Sequence, residues 1–405
     1  MVASAAIGGT LQYGYNLAIM NAPTTFIQTF INETSQERWG IQLEDYQVTL
    51  IWTIIVSFFS LGGFTGALIA GPMTIRFGSG ALIAVTSRAA KSFEMIIISR
   101  VLEGINAGIS MNVQPMYFGE SAPKHLRGAI SLSSAVFTAF GVVLGQVVGL
   151  RKILGSEPCW QYLLASNAIP GFIQLLTLPW FPESPRYLLI DRGDKEGCLN
   201  ALRRLRGREV ENDELNEILE EQAQSKGVRP RRPWELFTDQ AVRWQLLSVV
   251  VISSAMQLCG NDSIYFYASY VFKEAGISAD KIEYITIGTA GVTGVLPTEI
   301  FNQSARPAAY MIAGSMMWIN LFIVGMIFPF LVSGLKEFCF VPFAAVCFLS
   351  SLYVGMFLPE TKGKSLSAIT AEFHKLNFKG LDPLHSPQCQ AKYQLGGDVC
   401  HSTAL

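Results

Sequence analysis

Charge is what this chain has little of. Asp, Glu, Lys and Arg make up 15% of its 405 residues, against about 25% in an ordinary soluble domain. The 30 basic and 31 acidic residues nearly cancel, leaving a net charge of −1. That balance excludes the basic surface that a nucleic-acid partner requires. Histidine is scarcer still, with 4 in the chain. No nucleophile, metal-ligand or phosphate-binding constellation accompanies them, so the chain reads as no enzyme, with no metal and no cofactor. The 7 cysteines never form a C-x-x-C pair, which argues against a disulfide framework or a zinc site. They read as small apolar residues of buried helices.

What the chain has instead is hydrophobic length. Half its residues are hydrophobic. A hydrocarbon core of about 30 Å takes roughly 20 mostly apolar residues per helix. Runs of that kind lie near 2–22, 48–70, 101–118, 129–150, 162–180, 246–271, 284–296, 308–332 and 338–358. The first has no basic leader and carries Gln12, Tyr13, Tyr15 and Asn16 in its body, so it reads as a span and not a signal peptide. The polar stretch between Arg186 and Arg243 is rich in Lys, Arg and Glu, and its basic clusters place it in the cytoplasm. Asn32-Glu33-Thr34 then falls on the opposite side as an N-glycosylation acceptor. Asn302-Gln303-Ser304 falls on the cytoplasmic side and is expected to stay bare.

Two stretches echo each other. P-M-Y-F-G-E-S-A-P-K-H-L-R-G places Glu120 seven residues before Arg127, and P-T-E-I-F-N-Q-S-A-R-P places Glu299 seven before Arg306. Each is followed by two apolar stretches and a P-E motif, holding Glu183 and Glu360. The Arg-to-Glu spacings nearly match, 183−127 = 56 and 360−306 = 54. A long repeat with charge only at its joints reads as a membrane transporter of two similar halves. The expected division is an N-terminal transmembrane half over 1–182 and a cytoplasmic helical linker over 183–243. A shortened C-terminal half over 244–358 and a cytoplasmic tail over 359–405 follow.

The motifs L-Q-Y-G-Y-N-L-A-I-M-N-A-P, P-M-Y-F-G-E-S-A-P-K-H-L-R-G, F-P-E-S-P-R-Y-L-L, E-I-F-N-Q-S-A-R-P-A-A and P-E-T-K-G together resemble the facilitative glucose transporters. These are solute carrier family 2, sugar porters of the major facilitator superfamily. The resemblance implies an all-α, multi-pass bundle in the plasma membrane and passive transport of glucose or fructose by alternating access. A hexose is neutral and covered in hydroxyls, and amides that both donate and accept suit it. By resemblance Gln146 and Gln257 match sugar-binding glutamines and Trp318 matches a tryptophan near the site. Asn320, Asn16 and Asp262 complete the expected substrate-binding set. The plainer role for such amides is to bond neighbouring helices. Arg100, Glu120, Arg127, Glu183, Arg186, Glu299, Arg306 and Glu360 match charged gate residues that join the halves in one state and part in the other, or that anchor helix ends at the interface. Asn16 stands where proton-linked relatives carry Asp; it cannot titrate, which points to a uniporter. Asp262, where the family usually has Asn, carries the alternative of a proton-coupled symporter.

The halves are unequal. Between Arg243 and Glu299 lie 299−243 = 56 residues, room for two spans where the first half has four. The resemblance reads 284–287 as the start of an eighth helix joined directly to the end of a tenth. Met256 and Gly294 replace a glutamine and a tryptophan of the family's pocket. In the first half the third apolar core, 81–86, reaches only about 9 Å as a helix. Extending it to Ile98 takes in Arg88, Lys91 and Glu94, so a short re-entrant or thinned segment is expected there. The bundle is therefore expected to be incomplete, with about nine or ten of twelve spans. The different-class alternative is a non-transporting truncated form acting as a regulatory or scaffold membrane protein. Its S-T-A-L ending fits strand addition to a PDZ-type partner.

Overall fold

A computed structural model describes residues 7–69, 86–87, 90–122, 127–177, 180–190, 192–207, 215–216, 218–219, 222, 233–260, 266–267, 271–272, 306–357 and 372–373. Every element among them is helical. A π-helical turn, Ile7–Leu11, leads into α1 (Gln12–Ala18). There follow α2 (Thr24–Trp39), α3 (Asp45–Ile69), α4 (Glu94–Ser121) and α5 (Arg127–Val148). The next run is broken into α6 (Trp160–Ala165) and α7 (Ala168–Thr177). The linker holds α8 (Pro185–Ile190), α9 (Lys195–Arg206) and α10 (Pro233–Thr238), and the second half holds α11 (Arg243–Leu258), α12 (Arg306–Leu335) and α13 (Val341–Phe357). Asp45–Leu68 and Met311–Leu335 are by themselves long and apolar enough to cross a membrane; Ser133–Val148 and Val341–Phe357 are apolar but shorter. The expected run at 284–296 lies outside the described residues.

The described helices expose large apolar side chains and bury several polar ones within an apolar core. Val136, Phe140, Ile169, Phe172, Phe348 and Leu349 are exposed, while Gln12, Asn16, Arg100, Gln146, Asn167 and Gln257 are buried. An apolar outer face with polar groups satisfied inside is the arrangement lipid demands. Two helix defects illustrate it. Pro329 sits inside α12 and takes the N–H that would have bonded the Gly325 carbonyl; the Tyr267 hydroxyl donates to that carbonyl at 2.8 Å. At the break between α6 and α7, Gln12 Nε2 donates to the Asn167 carbonyl at 3.3 Å.

Glycine seams bring the helices together in parallel pairs. A Cβ at Gly62 would lie 2.2 Å from the Val101 carbonyl oxygen, and one at Gly66 2.3 Å from that of Ile105. Both contacts advance by four residues, so α3 and α4 run in the same direction. Gly141 meets Leu11, Gly145 meets Ala18 and Ile19, and Gly149 meets Ala22, so α1 and α5 are likewise parallel. The α3–α4 register sets Glu94 level with residue 55, fourteen residues or about 21 Å from the far end of α3. The expected re-entrant or thinned segment falls in this connection, most of which lies outside the described residues. The expected core at 81–86 falls almost wholly outside the described residues, and Ile98 belongs to α4.

The second half obeys the same parity. Asn320 of α12 donates to Ser254 of α11 at 3.0 Å, and Leu246 and Val249 cluster with Ile312 and Ala313, so α11 and α12 are parallel. Ser248 bonds Tyr353 and Trp244 stacks on Phe357, so α13 runs antiparallel to α11. The linker packs its own small core from Leu188, Leu189, Cys198, Ala201 and Leu202. Asp194 caps α9 by accepting from the Gly197 N–H at 2.8 Å. Arg206 then donates to the Ser121 carbonyl at the end of α4.

Because a Cβ at Gly104 would sit 2.0 Å from the Phe59 carbonyl while one at Gly334 meets nothing within 4 Å, Gly104→Val is expected to cost several kcal/mol, beyond the ~1–3 kcal/mol of ordinary overpacking. Gly334→Ala should leave stability unchanged. Melting temperatures of the detergent-purified variants check both.

Candidate functional site

Polar residues of the first half converge on α1. The Thr10 N–H, freed by the π turn, donates to Gln114 Oε1 at 2.8 Å, and Gln114 Nε2 reaches Thr10 Oγ1 and Ser134. One turn on, Asn106 donates to Gln12 Oε1 at 3.2 Å. Asn16 Nδ2 donates to the Gln12 carbonyl and to Asn167 Oδ1, both at 3.1 Å. Its Oδ1 and backbone carbonyl face Arg100 Nη1 and Nη2 at 3.5 and 3.4 Å. Asn16, expected among the sugar ligands, is thus committed to protein partners on both ends of its amide.

Arg100 was expected with the gate charges. It stands instead inside the bundle, 1% exposed, twenty residues or about 30 Å along α4 from Glu120. Its partner is Glu103, at 3.0 Å and also buried, a residue that sequence reasoning missed. The signal was present: S-R-V-L-E sets both charges on one helical face at i, i+3. The other gate residues are scattered or out of view. Glu120 closes α4 and Arg127 opens α5, while Arg306 opens α12; their side chains lie outside the described residues, as do Glu299, Glu360 and Asp262 entirely. Glu183 is exposed and pairs with Arg192 at 3.3 Å. Arg186 is buried at the start of α8. Asn32 lies on α2, where its Oδ1 accepts from the Leu43 N–H at 3.2 Å.

Toward the junction of the halves the amides lack partners. Gln146 on α5 is buried with neither Nε2 nor Oε1 hydrogen-bonded among the described residues. Gln257 on α11 is 1% exposed and its Oε1 is equally unpartnered. It lies one turn beyond Ser254, which Asn320 bonds; Asn320 spends its second donor on the Met316 carbonyl. Trp318 is fully buried. Its ring meets Tyr13 and Phe59 edge-on, at centroid distances of 5.5 and 5.7 Å, and a Cβ at Gly63 would be 2.2 Å from it. The ring has no face open to a ligand. It joins α12 of the second half to α1 and α3 of the first.

Parallel helix pairs, apolar outside and holding buried amides within, define a membrane transport protein. The family model for sugar (and other) transporters matches residues 1–296 and 282–373. The chain is 48% identical to solute carrier family 2, facilitated glucose transporter member 11 of Homo sapiens, over 93% of each chain. It is 38% identical to member 5 of Ovis aries, over 92% of this chain and 91% of that one. Among solved structures it resembles the proton:xylose symporter XylE bound to 6-bromo-6-deoxy-D-glucose, with a TM-score of 0.70, 20% identity and coverage of 92% and 98%. It also resembles the inward-open xylose transporter XylE from E. coli, with a TM-score of 0.66, 21% identity and coverage of 91% and 98%. At those identities the structures carry the fold alone. The chain belongs to the sugar transporter family, within solute carrier family 2, and is a multi-pass membrane protein of the major facilitator fold. The match to member 11 runs over 460 positions, more than the chain's 405 residues, so that relative carries segments this chain lacks.

Trp318→Ala removes the ring that joins the halves and is expected to cost about 3–5 kcal/mol. Gly63→Ala forces a methyl against the same ring. Combining the two should cost less than the sum of the singles, because the added methyl enters the space the ring has left. Thermal melts of the three variants read this coupling directly.

Proposed function

We propose that the chain is a facilitative hexose carrier, working by alternating access as a uniporter. The observation that carries this reading is that both amide atoms of Gln146 and the Oε1 of Gln257 are buried with no partner among the described residues. A buried polar group without a partner costs about 1–3 kcal/mol, and a native fold keeps such groups where a ligand engages them. Amides carry no charge and both donate and accept, which suits a neutral, hydroxyl-covered ring. The relatives' names, facilitated glucose transporters, agree with that chemistry. The neutral Asn16 and its full complement of protein partners favour uniport over coupling to protons. Gln146 and Gln257 bind hydroxyls, and Trp318 with Tyr13 and Phe59 holds the halves against each other.

A second reading is favoured by the shortened second half. The two family-model matches overlap at 282–296, where the sequence joins two family helices directly. Only Phe343 of α13 is buried. On this reading the chain inserts and is displayed but moves no sugar, and acts on a membrane partner.

Uptake of labelled glucose and fructose by proteoliposomes holding the full chain separates the two. The carrier reading expects uptake above empty vesicles, a drop of at least about tenfold for Gln146→Ala or Gln257→Ala from the loss of hydrogen bonds to the sugar, and no sugar-evoked pH change. Surface display with uptake equal to empty vesicles selects the second reading.

A further inference from the structure

The carrier reading makes no use of the buried carboxylate in α4. Glu103 is 7% exposed inside a helix that packs against α3 and α1. A charged side chain at such depth is expensive and calls for a role. Its surroundings are specific. Arg100 Nη1 donates to Glu103 Oε2 at 3.0 Å and Ser99 Oγ donates to Oε1 at 3.2 Å. The Asn167 side chain bonds it as well. Arg100 in turn lies over the Phe59 ring, 4.4 Å from its centroid, and faces Asn16. Both oxygens of the carboxylate are thus served by donors, an arrangement that suits its ionised form.

The groups that the neighbouring elements present to this pair do not titrate: Asn16 from α1, Phe59 from α3 and Asn167 from the turn between α6 and α7. The Tyr15 phenol on α1 is bonded to Ser166. Arg100 therefore has one described anionic partner, and that partner comes from its own helix at i, i+3. A pair carried on one helix moves as a unit when the halves rock, and neither charge has to be separated or neutralised during the cycle.

We propose that Glu103 is the resident counter-ion of Arg100, a positioning residue that keeps the guanidinium neutralised through the whole transport cycle and so frees the carrier from protons. The counter-ion role stands on the geometry of the pair; the freedom from protons rests on the carrier reading above. Removing one member of a buried pair leaves a bare charge, whereas removing both does not. Moving the carboxylate to position 16, which already faces Arg100 Nη1, restores the pair from a different helix.

Four forms of the full chain test this: the parent, Glu103→Gln, Glu103→Gln with Arg100→Gln, and Glu103→Gln with Asn16→Asp. In detergent, Glu103→Gln is expected to melt several degrees below the parent or to yield no folded protein, and both double variants to recover most of the loss. A Glu103→Gln variant that melts with the parent overturns the proposal. So do double variants that stay as low as the single one, since the loss then lies in the bonds Glu103 accepts from Ser99 and Asn167 and not in its charge. In proteoliposomes, parent hexose uptake should change less than about twofold between about pH 5.5 and 7.5, above the ordinary glutamate range. A sugar-evoked proton flux that vanishes in Glu103→Gln makes Glu103 a proton carrier and also overturns the proposal. Absence of hexose uptake by the parent at every pH removes the carrier reading, while the order of melting temperatures still decides the counter-ion role.

Discussion

A backbone group that loses its helical partner inside a bilayer finds no water, so its replacement must come from another part of the protein. The architecture of this carrier follows from that demand. The π turn before α1 frees the Thr10 N–H, and Gln114 of α4 accepts it. At the break between α6 and α7 the Asn167 carbonyl accepts from Gln12 of α1. Pro329 frees the Gly325 carbonyl, and the Tyr267 hydroxyl closes it. In each case the rescuing side chain belongs to a different helix from the defect. A defect in one helix thereby becomes a specific bond between two, and the polar interior that lipid penalises becomes what sets the register of the bundle.

The same demand sorts the buried amides into two kinds. Asn16, Gln12, Gln114 and Asn320 are bonded within the protein and hold helices together. Both amide atoms of Gln146 and the Oε1 of Gln257 have no partner among the described residues, and the two side chains sit on α5 and α11, one in each half. Between the halves the contact is aromatic and close: Trp318 lies against Gly63, with Tyr13 and Phe59 at its edges. A contact made by dispersion over a glycine can slide or part without stranding a hydrogen bond. Halves that must move relative to each other can use such a surface, whereas a bonded amide network would lock them.

The family and its all-helical membrane fold were legible in the sequence, because each rests on patterns along the chain: apolar run length, the echo of Glu120 and Arg127 in Glu299 and Arg306, and the motifs at the joints between runs. Roles that depend on which partner a side chain finds were not. Asn16 and Gln146 look alike in the sequence, each an amide in an apolar run, yet one is spent on Asn167 and Arg100 and the other is left open. Trp318 matched a residue near the sugar but is sealed beneath Gly63. Glu103 has no mark in a pattern of charges at helix ends, because its pair with Arg100 is enclosed within a span. In the sequence Arg100 reads with Glu120 as a charge at the end of a helix. The 1.5 Å rise of each intervening residue puts them at opposite ends of it.

Direction of insertion and enclosure of a chamber are separate requirements, and the second half meets the first. α11 and α12 are parallel and α13 opposes them, an arrangement kept despite the segments that the human relative has and this chain lacks. Enclosure depends on number as well as direction. In the first half α4 is clasped by α3 along a glycine seam and by α1 through polar bonds, whereas α13 keeps one buried residue, Phe343, along its whole length. α5 is therefore held closely along α1, whereas α13 is held thinly. Among the described residues the first half, with Arg100 paired to Glu103 within α4, is the more closely bonded of the two.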